Sequence, residues 1–402
     1  EIMSSDWSSD VCSSDLVEFG GMAQHALHMA RYLSQRHEVL VATLQGHDPS
    51  VHANEAFDFR PVLTKRFLQY DAWTLRRLAR SFRADVIHAC TAGMADEKLC
   101  REFPVVTRVV GNDFIRPWYG FKLPFRRLLF RLPGTDRGRR LQRFELRRRK
   151  GRIIDQLKAN ARVAANSGWT SDRLAECGVT VDRIRTMVGG LDTRTFHPSE
   201  NNSETRKALG LPAEGPIIAT AGNLIRKKGV DTVLRALAQL TVVPKPQYVI
   251  VGDGSEQANL SKLAGELGLQ DRTFFVGRKS QAELAKYYQA SDVYVLVSQE
   301  ETMGRTYFEA GACGIPVIAA RVGGVPDVVE HGGNGLLVDD PEDVGAVVAA
   351  IQRLLEDGAL REQMGQAGLK RAREEFSWES VGAQFEELLT EAATGRRKRQ
   401  SN

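Results

Sequence analysis

The feature that most constrains this chain is a rhythm of short aliphatic runs, each bounded by Gly or polar residues and followed by apolar residues at helical spacing. Met22, Ala26, Met29, Ala30 and Leu33 mark one helical face, and Val39 to Leu44 follows as a β-branched run. Asp85 to Ala89 and Val105 to Val110 repeat the strand signal. Runs that are apolar throughout suit strands covered on both faces, so the expectation is a parallel sheet layered with helices. Beyond the turn-rich stretch 193–215 the rhythm restarts with Ile217 to Ala221, a helix from Val230, and Gln247 to Val251. It continues through Thr273 to Val276, Val293 to Val297 and Pro316 to Ala320. A chain of 402 residues is long for one core and comfortable for two, so two α/β domains are expected. The order of strands within each sheet does not follow from the rhythm.

Composition excludes several classes. Hydrophobic residues at 42% and charged residues at 26% are ordinary for a globular chain. No apolar run approaches the roughly eighteen residues that a membrane-spanning helix needs. Cys12, Cys90, Cys100, Cys177 and Cys313 are neither paired at zinc spacing nor dense enough for a disulfide scaffold, so a reducing cytosol is expected. Residues 1–16 repeat the triplet Ser-Ser-Asp at positions 4, 8 and 13 with no apolar periodicity. They read as a non-native or disordered segment, closer to a translated library adapter than to a signal peptide.

The second half carries the residues that could do chemistry. Val249-Ile250-Val251-Gly252-Asp253-Gly254 ends a strand in a Gly-flanked turn, which suits either close approach of a ligand or a plain tight turn. In Gly222-Asn223-Leu224-Ile225-Arg226-Lys227-Lys228-Gly229, three cations precede a helix start, where they oppose the helix dipole and so point to an anion. A solvated charge cluster is the plainer alternative. The most informative stretch is Glu301-Thr302-Met303-Gly304-Arg305-Thr306-Tyr307-Phe308-Glu309, after the strand Val293 to Val297. Glu301 falls in a loop and Glu309 in the next helix. Two carboxylates so spaced at a strand's carboxyl end can hold two hydroxyl pairs of one extended ligand, and Gly304 keeps backbone N–H groups open near the helix start. A nucleotide sugar has that layout.

With these motifs on view, the chain resembles the GT-B glycosyltransferases of family 4 from Gly20 to about Leu389. The matching pieces include Gly20-Gly21, Ala165-Asn166-Ser167, Gly190-Leu191-Asp192, Phe196-His197-Pro198 and Lys228-Gly229-Val230-Asp231. They continue through Gly252-Asp253-Gly254, Glu301 to Glu309, Gly323-Gly324-Val325-Pro326, Gly335 to Val338 and Phe376-Ser377-Trp378. The resemblance implies two Rossmann-like domains facing each other across a cleft, with a C-terminal helix crossing back to the N-terminal domain. It divides the chain into residues 17–192 for the acceptor, a linker at 193–215, residues 216–376 for the nucleotide sugar, a crossing helix at 377–393 and a basic tail at 394–402.

The resemblance also implies roles. Glu309 would hold the ribose, Glu301 the hydroxyls of the donor sugar, and Lys228 the diphosphate, with Lys228 and Glu301 as the catalytic pair. Met303 and Gly304 would offer backbone N–H groups, and Gly20 and Gly21 would let the N-terminal domain close on the phosphates. Asn223, Gly252, Arg278 and Arg305 complete the donor-binding set, and Asn112 and Asp113 fall in the acceptor region. Two positions depart from the pattern. Asn223 stands where most members carry an arginine, so Arg226 or Lys227 would have to supply that charge. Val110 stands where many carry a histidine, and its side chain cannot hydrogen-bond.

No Asp-x-Asp pattern closes a strand, so no metal and no cofactor are expected; charge on the leaving phosphate would be met by Lys228, helix N-termini and backbone donors. The family retains anomeric configuration. The implied partners are a nucleotide-sugar donor and a glycan or lipid-linked acceptor, with no nucleic acid, in the cytoplasm. Between Phe121 and Arg152, twelve cations from Arg126 to Arg152 are interleaved with Phe125, Leu128, Phe130, Leu141 and Phe144. They suit either a peripheral anionic membrane surface or a solvated helical face. A nucleic-acid-binding protein, suggested by this cluster alone, a catalytically silent scaffold, and a nucleotide-sugar epimerase, which would not be expected to show the Glu301 to Glu309 element in this form, are the rival readings.

Overall fold

The computed structural model describes residues 21–44, 53–63, 65–66, 69–70, 72–90, 92, 95–110 and 136–400. It divides into two compact units, one comprising residues up to Met187 and from Gly382 onward, the other Val188–Val381. The first sixteen residues, Gly20, Asn112, Asp113 and residues 121–135 of the basic stretch lie outside the described residues.

The first unit holds a parallel pair, β1 (Leu40–Leu44) with β2 (Asp58–Leu63), and a short antiparallel pair, β3 (Lys65–Arg66) with β4 (Gln69–Tyr70). Its four-stranded parallel sheet runs in chain order from β5 (Ile87–Ala89) and β6 (Val105–Val109) to β7 (Arg162–Ala165) and β8 (Ile184–Thr186). Every residue of β6 is buried, Thr107 and Arg108 included, as a strand covered on both faces requires. Helix α1 (Gly21–Leu33) covers the apolar face read from Met22 to Leu33, with Met29 and Ala30 buried. The Ala165-Asn166-Ser167 motif starts a helix: Ser167 Oγ accepts from the Thr170 N–H, and Asn166 Oδ1 accepts from the Thr170 hydroxyl at 2.8 Å.

The second unit is one six-stranded parallel sheet, formed by β9 (Ile217–Ala221), β10 (Gln247–Val251), β11 (Thr273–Gly277), β12 (Val293–Leu296), β13 (Val317–Ala320) and β14 (Gly335–Val338). Their spatial order is β11-β10-β9-β12-β13-β14. Counted within the unit this is 3-2-1-4-5-6, the Rossmann order, and its switch point falls between β9 and β12. Those two strands and their neighbours β10 and β13 carry the core, with Ile217, Val249, Val295 and Ile318 fully buried. Residues 193–215 lie in this unit and carry a helix, Asn202–Ala208. There the buried Arg206 guanidinium bonds the carbonyls of Ala290 and Gly215 and pairs with Asp292 at 2.8 Å.

Two motifs far apart in the chain explain one another here. Gly190 and Leu191 donate to the Phe376 carbonyl at 2.9 Å, and Trp378 donates back to Leu191 at 3.0 Å. Gly190 has φ 106°, and a Cβ there would stand 2.5 Å from the Trp378 ring, so only glycine fits. The last helix, Trp378–Gln400, starts in the second unit and finishes in the first. Among the described residues no helix is long and apolar enough to cross a membrane.

Candidate functional site

The candidate site is built by the two loops that leave β9 and β12. Their strands are adjacent, but β9 runs on to β10 on one side and β12 to β13 on the other. The loops therefore part, and such a crevice at the carboxyl ends of the strands is where open α/β sheets take ligands. The first loop, Gly222 to Gly229, ends in a 3₁₀ turn, Arg226–Lys228, and feeds the helix Val230–Gln239. The second runs from Val297 to Gly304 and feeds the helix Arg305–Ala312.

Close backbone approach locks the loops together. Gln299 N–H donates to the Lys227 carbonyl at 2.8 Å. Gly229 has φ 66°, and a Cβ there would stand 2.2 Å from the Val297 carbonyl oxygen. Across this seam Lys228 Nζ meets Glu301 Oε2 at 2.6 Å, each side chain about four-fifths buried. Glu301 Oε1 also accepts from the Thr302 N–H at 3.2 Å. Each charge is thus held ready by the other.

Glu309 lies one helical turn into Arg305–Ala312 and is only 5% exposed. Burial raises its carboxyl above the ordinary range, and Arg305, whose guanidinium approaches Glu309 Oε1 at 3.3 Å, opposes that rise without cancelling it. Behind it Tyr288, Tyr294 and Tyr307 stack edge to face with centroids 5.5 and 5.9 Å apart. Tyr307 donates to the Leu296 carbonyl and Tyr294 to the Ala221 carbonyl, so the aromatic chain ties the helix to both strands that flank the switch point.

The other expected residues divide. Met303 and Gly304 are buried at the start of the helix, where Gly304 takes φ 89° and caps it without a side chain. Asn223 is exposed, as is Arg226 beside it in the same loop. Gly252 has φ 136° and faces the Gly222 carbonyl oxygen, which a Cβ would approach to 1.9 Å. Close backbone packing therefore requires the glycine, whichever of the two readings of the turn applies. Arg278 is exposed just past the edge strand β11, with β10 between it and β9. Gly21 opens α1 in the first unit, where Val110 accepts a long hydrogen bond from Asn166 at 3.5 Å.

One positioning element escaped the sequence reading. The Gly323-Gly324 loop after β13 pins Glu301 from behind: Gly324 N–H donates to the Glu301 carbonyl at 3.1 Å. Gly323 has φ 52°, and a Cβ there would fall 1.8 Å from that same oxygen. The paired glycines were visible, but their target 22 positions upstream was not.

Two α/β units, one with the Rossmann strand order and a Lys–Glu pair at its switch point, define a protein of the GT-B class. Residues 19–195 match the family model Glycosyltransferase Family 4, and residues 201–371 match Glycosyl transferases group 1. The chain belongs to that family. It is similar to a D-inositol 3-phosphate glycosyltransferase of Thermobifida fusca, 35% identical over 245 residues that cover 57% of this chain and 53% of the relative. A GDP-mannose-dependent alpha-(1-6)-phosphatidylinositol monomannoside mannosyltransferase of Mycolicibacterium smegmatis is 32% identical over 233 residues, 56% of this chain and 60% of that one. The chain thus spans between half and two thirds of the length of these relatives. The crystal structure of Anabaena HepE with UDP-glucose superposes with a TM-score of 0.67 at 21% identity, covering 93% of this chain and 96% of that one, a likeness of fold.

Proposed function

We propose that this protein transfers a sugar from a nucleotide-sugar donor to a hydroxyl of a glycan or lipid-linked acceptor, with retention at the anomeric carbon and without a metal. The observation that carries the reading is the Lys228–Glu301 pair at the switch point, with the buried Glu309 in the adjoining helix. On this reading Glu309 takes the ribose hydroxyls and Glu301 those of the sugar. Lys228 turns from Glu301 to the diphosphate, where negative charge grows as the bond to the anomeric carbon breaks. The Arg305–Ala312 helix start adds backbone N–H groups beside it. The acceptor oxygen bonds to the anomeric carbon from the face the phosphate leaves, and its proton passes to a phosphate oxygen.

The named relatives act on inositol 3-phosphate and on phosphatidylinositol monomannoside, which supports a phosphorylated polyol or lipid-linked acceptor. A thermal-shift screen against UDP, GDP, ADP and their sugars, followed by an assay for sugar transfer or release, tests the reading. Stabilisation by one nucleotide series together with product is the expected result. Binding without product would favour a silent scaffold, a reading motivated by Asn223 and Val110. Binding of none of the three series would overturn the donor assignment.

A further inference from the structure

Glu309 poses a problem that the donor reading leaves open. A carboxyl group that is to accept hydrogen bonds from two ribose hydroxyls must be ionised, yet Glu309 is 5% exposed in an apolar and aromatic setting. The titratable groups that face it come from three elements. Tyr288 on the helix Gln281–Gln289 and Tyr294 on β12 are fully buried, and Cys313 closes its own helix; burial raises all three well out of their ordinary ranges, so all stay neutral. The helix Gly358–Glu374 meets this helix through Gly368 at Gly311, which brings no charge. Arg305, four residues before Glu309, is therefore the one cation among the described residues that faces it.

Arg305 is held at a cost. Its Nε is buried and has no hydrogen-bond partner among the described residues, while its terminal nitrogen stands 3.3 Å from Glu309 Oε1. We propose that Arg305 is a positioning residue that keeps Glu309 ionised inside the protein, so that the donor-binding carboxylate is competent throughout the neutral range. This rests on the reading of Glu309 as the ribose ligand and adds the residue that makes that role workable.

The direction of the pH effect follows. Burial raises the carboxyl and the guanidinium lowers it, so without Arg305 the group ionises only at higher pH. Donor affinity is then retained at alkaline pH and lost as pH falls. The test is calorimetric titration of the nucleotide sugar that most raises the melting temperature, with wild type, Arg305→Met, Arg305→Lys and Glu309→Gln compared from about pH 6 to 8.5. The ratio of variant to wild-type affinity cancels every titration the proteins share. For Arg305→Met the expected ratio is within about threefold at the alkaline end and at least about tenfold weaker at the acid end, while Arg305→Lys stays flat. Runs in buffers of different ionisation enthalpy should show a proton released on binding by Arg305→Met near neutral pH that wild type does not release.

A ratio for Arg305→Met that is the same at every pH, whether unity or a uniform loss, overturns the proposal. Should Arg305→Met fail to fold, Arg305→Gln is read in the same way. Glu309→Gln checks the underlying reading separately: wild-type affinity there at every pH would remove the ribose assignment, whatever Arg305 does.

Discussion

At the residue scale, Lys228 and Glu301 sit 73 positions apart in sequence and 2.6 Å apart in space. Neither is worth much as a surface ion pair; their worth lies in standing partly buried where a diphosphate and a sugar would replace each partner for the other. Lys228→Ala should lower turnover at least about tenfold, because a cation aimed at developing charge acts mainly in the transition state. Glu309→Gln should instead weaken binding of the nucleotide, read by calorimetry, because ribose hydroxyls are held equally before and during reaction. Unchanged turnover in Lys228→Ala would remove it from the catalytic pair. These three residues were legible in the sequence because their motif follows a recognisable strand. The pairing of Lys228 with Glu301 was not, since it requires β9 and β12 to be neighbours.

Elements decide the rest of the site. Read from periodicity, Ile217 to Ala221 and Gln247 to Val251 coincide with β9 and β10, because a buried parallel strand leaves an unbroken apolar run. Loops leave no such mark. Gly323 sits in the left-handed region against the Glu301 carbonyl, so Gly323→Ala combines backbone strain of roughly 1–3 kcal/mol with displacement of the Glu301 loop. We expect it to lower kcat/KM sharply. Gly332→Ala is the control: φ there is 83°, so the strain is similar, but nothing lies within 4 Å of the added carbon. Equal loss of activity in both variants would mean that the effect is general instability and that the Gly323 loop has no part in aligning Glu301.

On the scale of the whole molecule, two expectations concern what surrounds the site. If Lys228 and helix N-termini meet the phosphate charge, as proposed, transfer should survive EDTA; full loss restored by Mg²⁺ or Mn²⁺ would end the metal-free mechanism. The basic stretch contributes the helix Asp136–Ala159, on which Arg147 and Arg148 are exposed, while its preceding residues lie outside those described. Exposed arginines are compatible with both a lipid surface and a solvated face. If lipid is the partner, the protein should float with anionic vesicles at low salt, detach as salt shortens the Debye length, and bind less when Arg147, Arg148 and Arg149 are replaced by Ser. Absence of flotation with anionic vesicles at low salt would leave the solvated face.

While the grouping of Lys228 with Glu301 and Glu309 came from the family resemblance, the sequence by itself determined that this is a two-part α/β chain and where most of its strands fall. Those are local properties: periodicity, Gly-bounded turns and short spacings survive without knowledge of neighbours. Tertiary structure alone decided that β9 lies beside β12, that Lys228 therefore faces Glu301, that Gly323 supports that loop, and that Glu309 is buried. Each of these depends on strand order and on contacts between distant segments. A repeating pattern of buried strands is compatible with many orders, and only the packed sheet selects one.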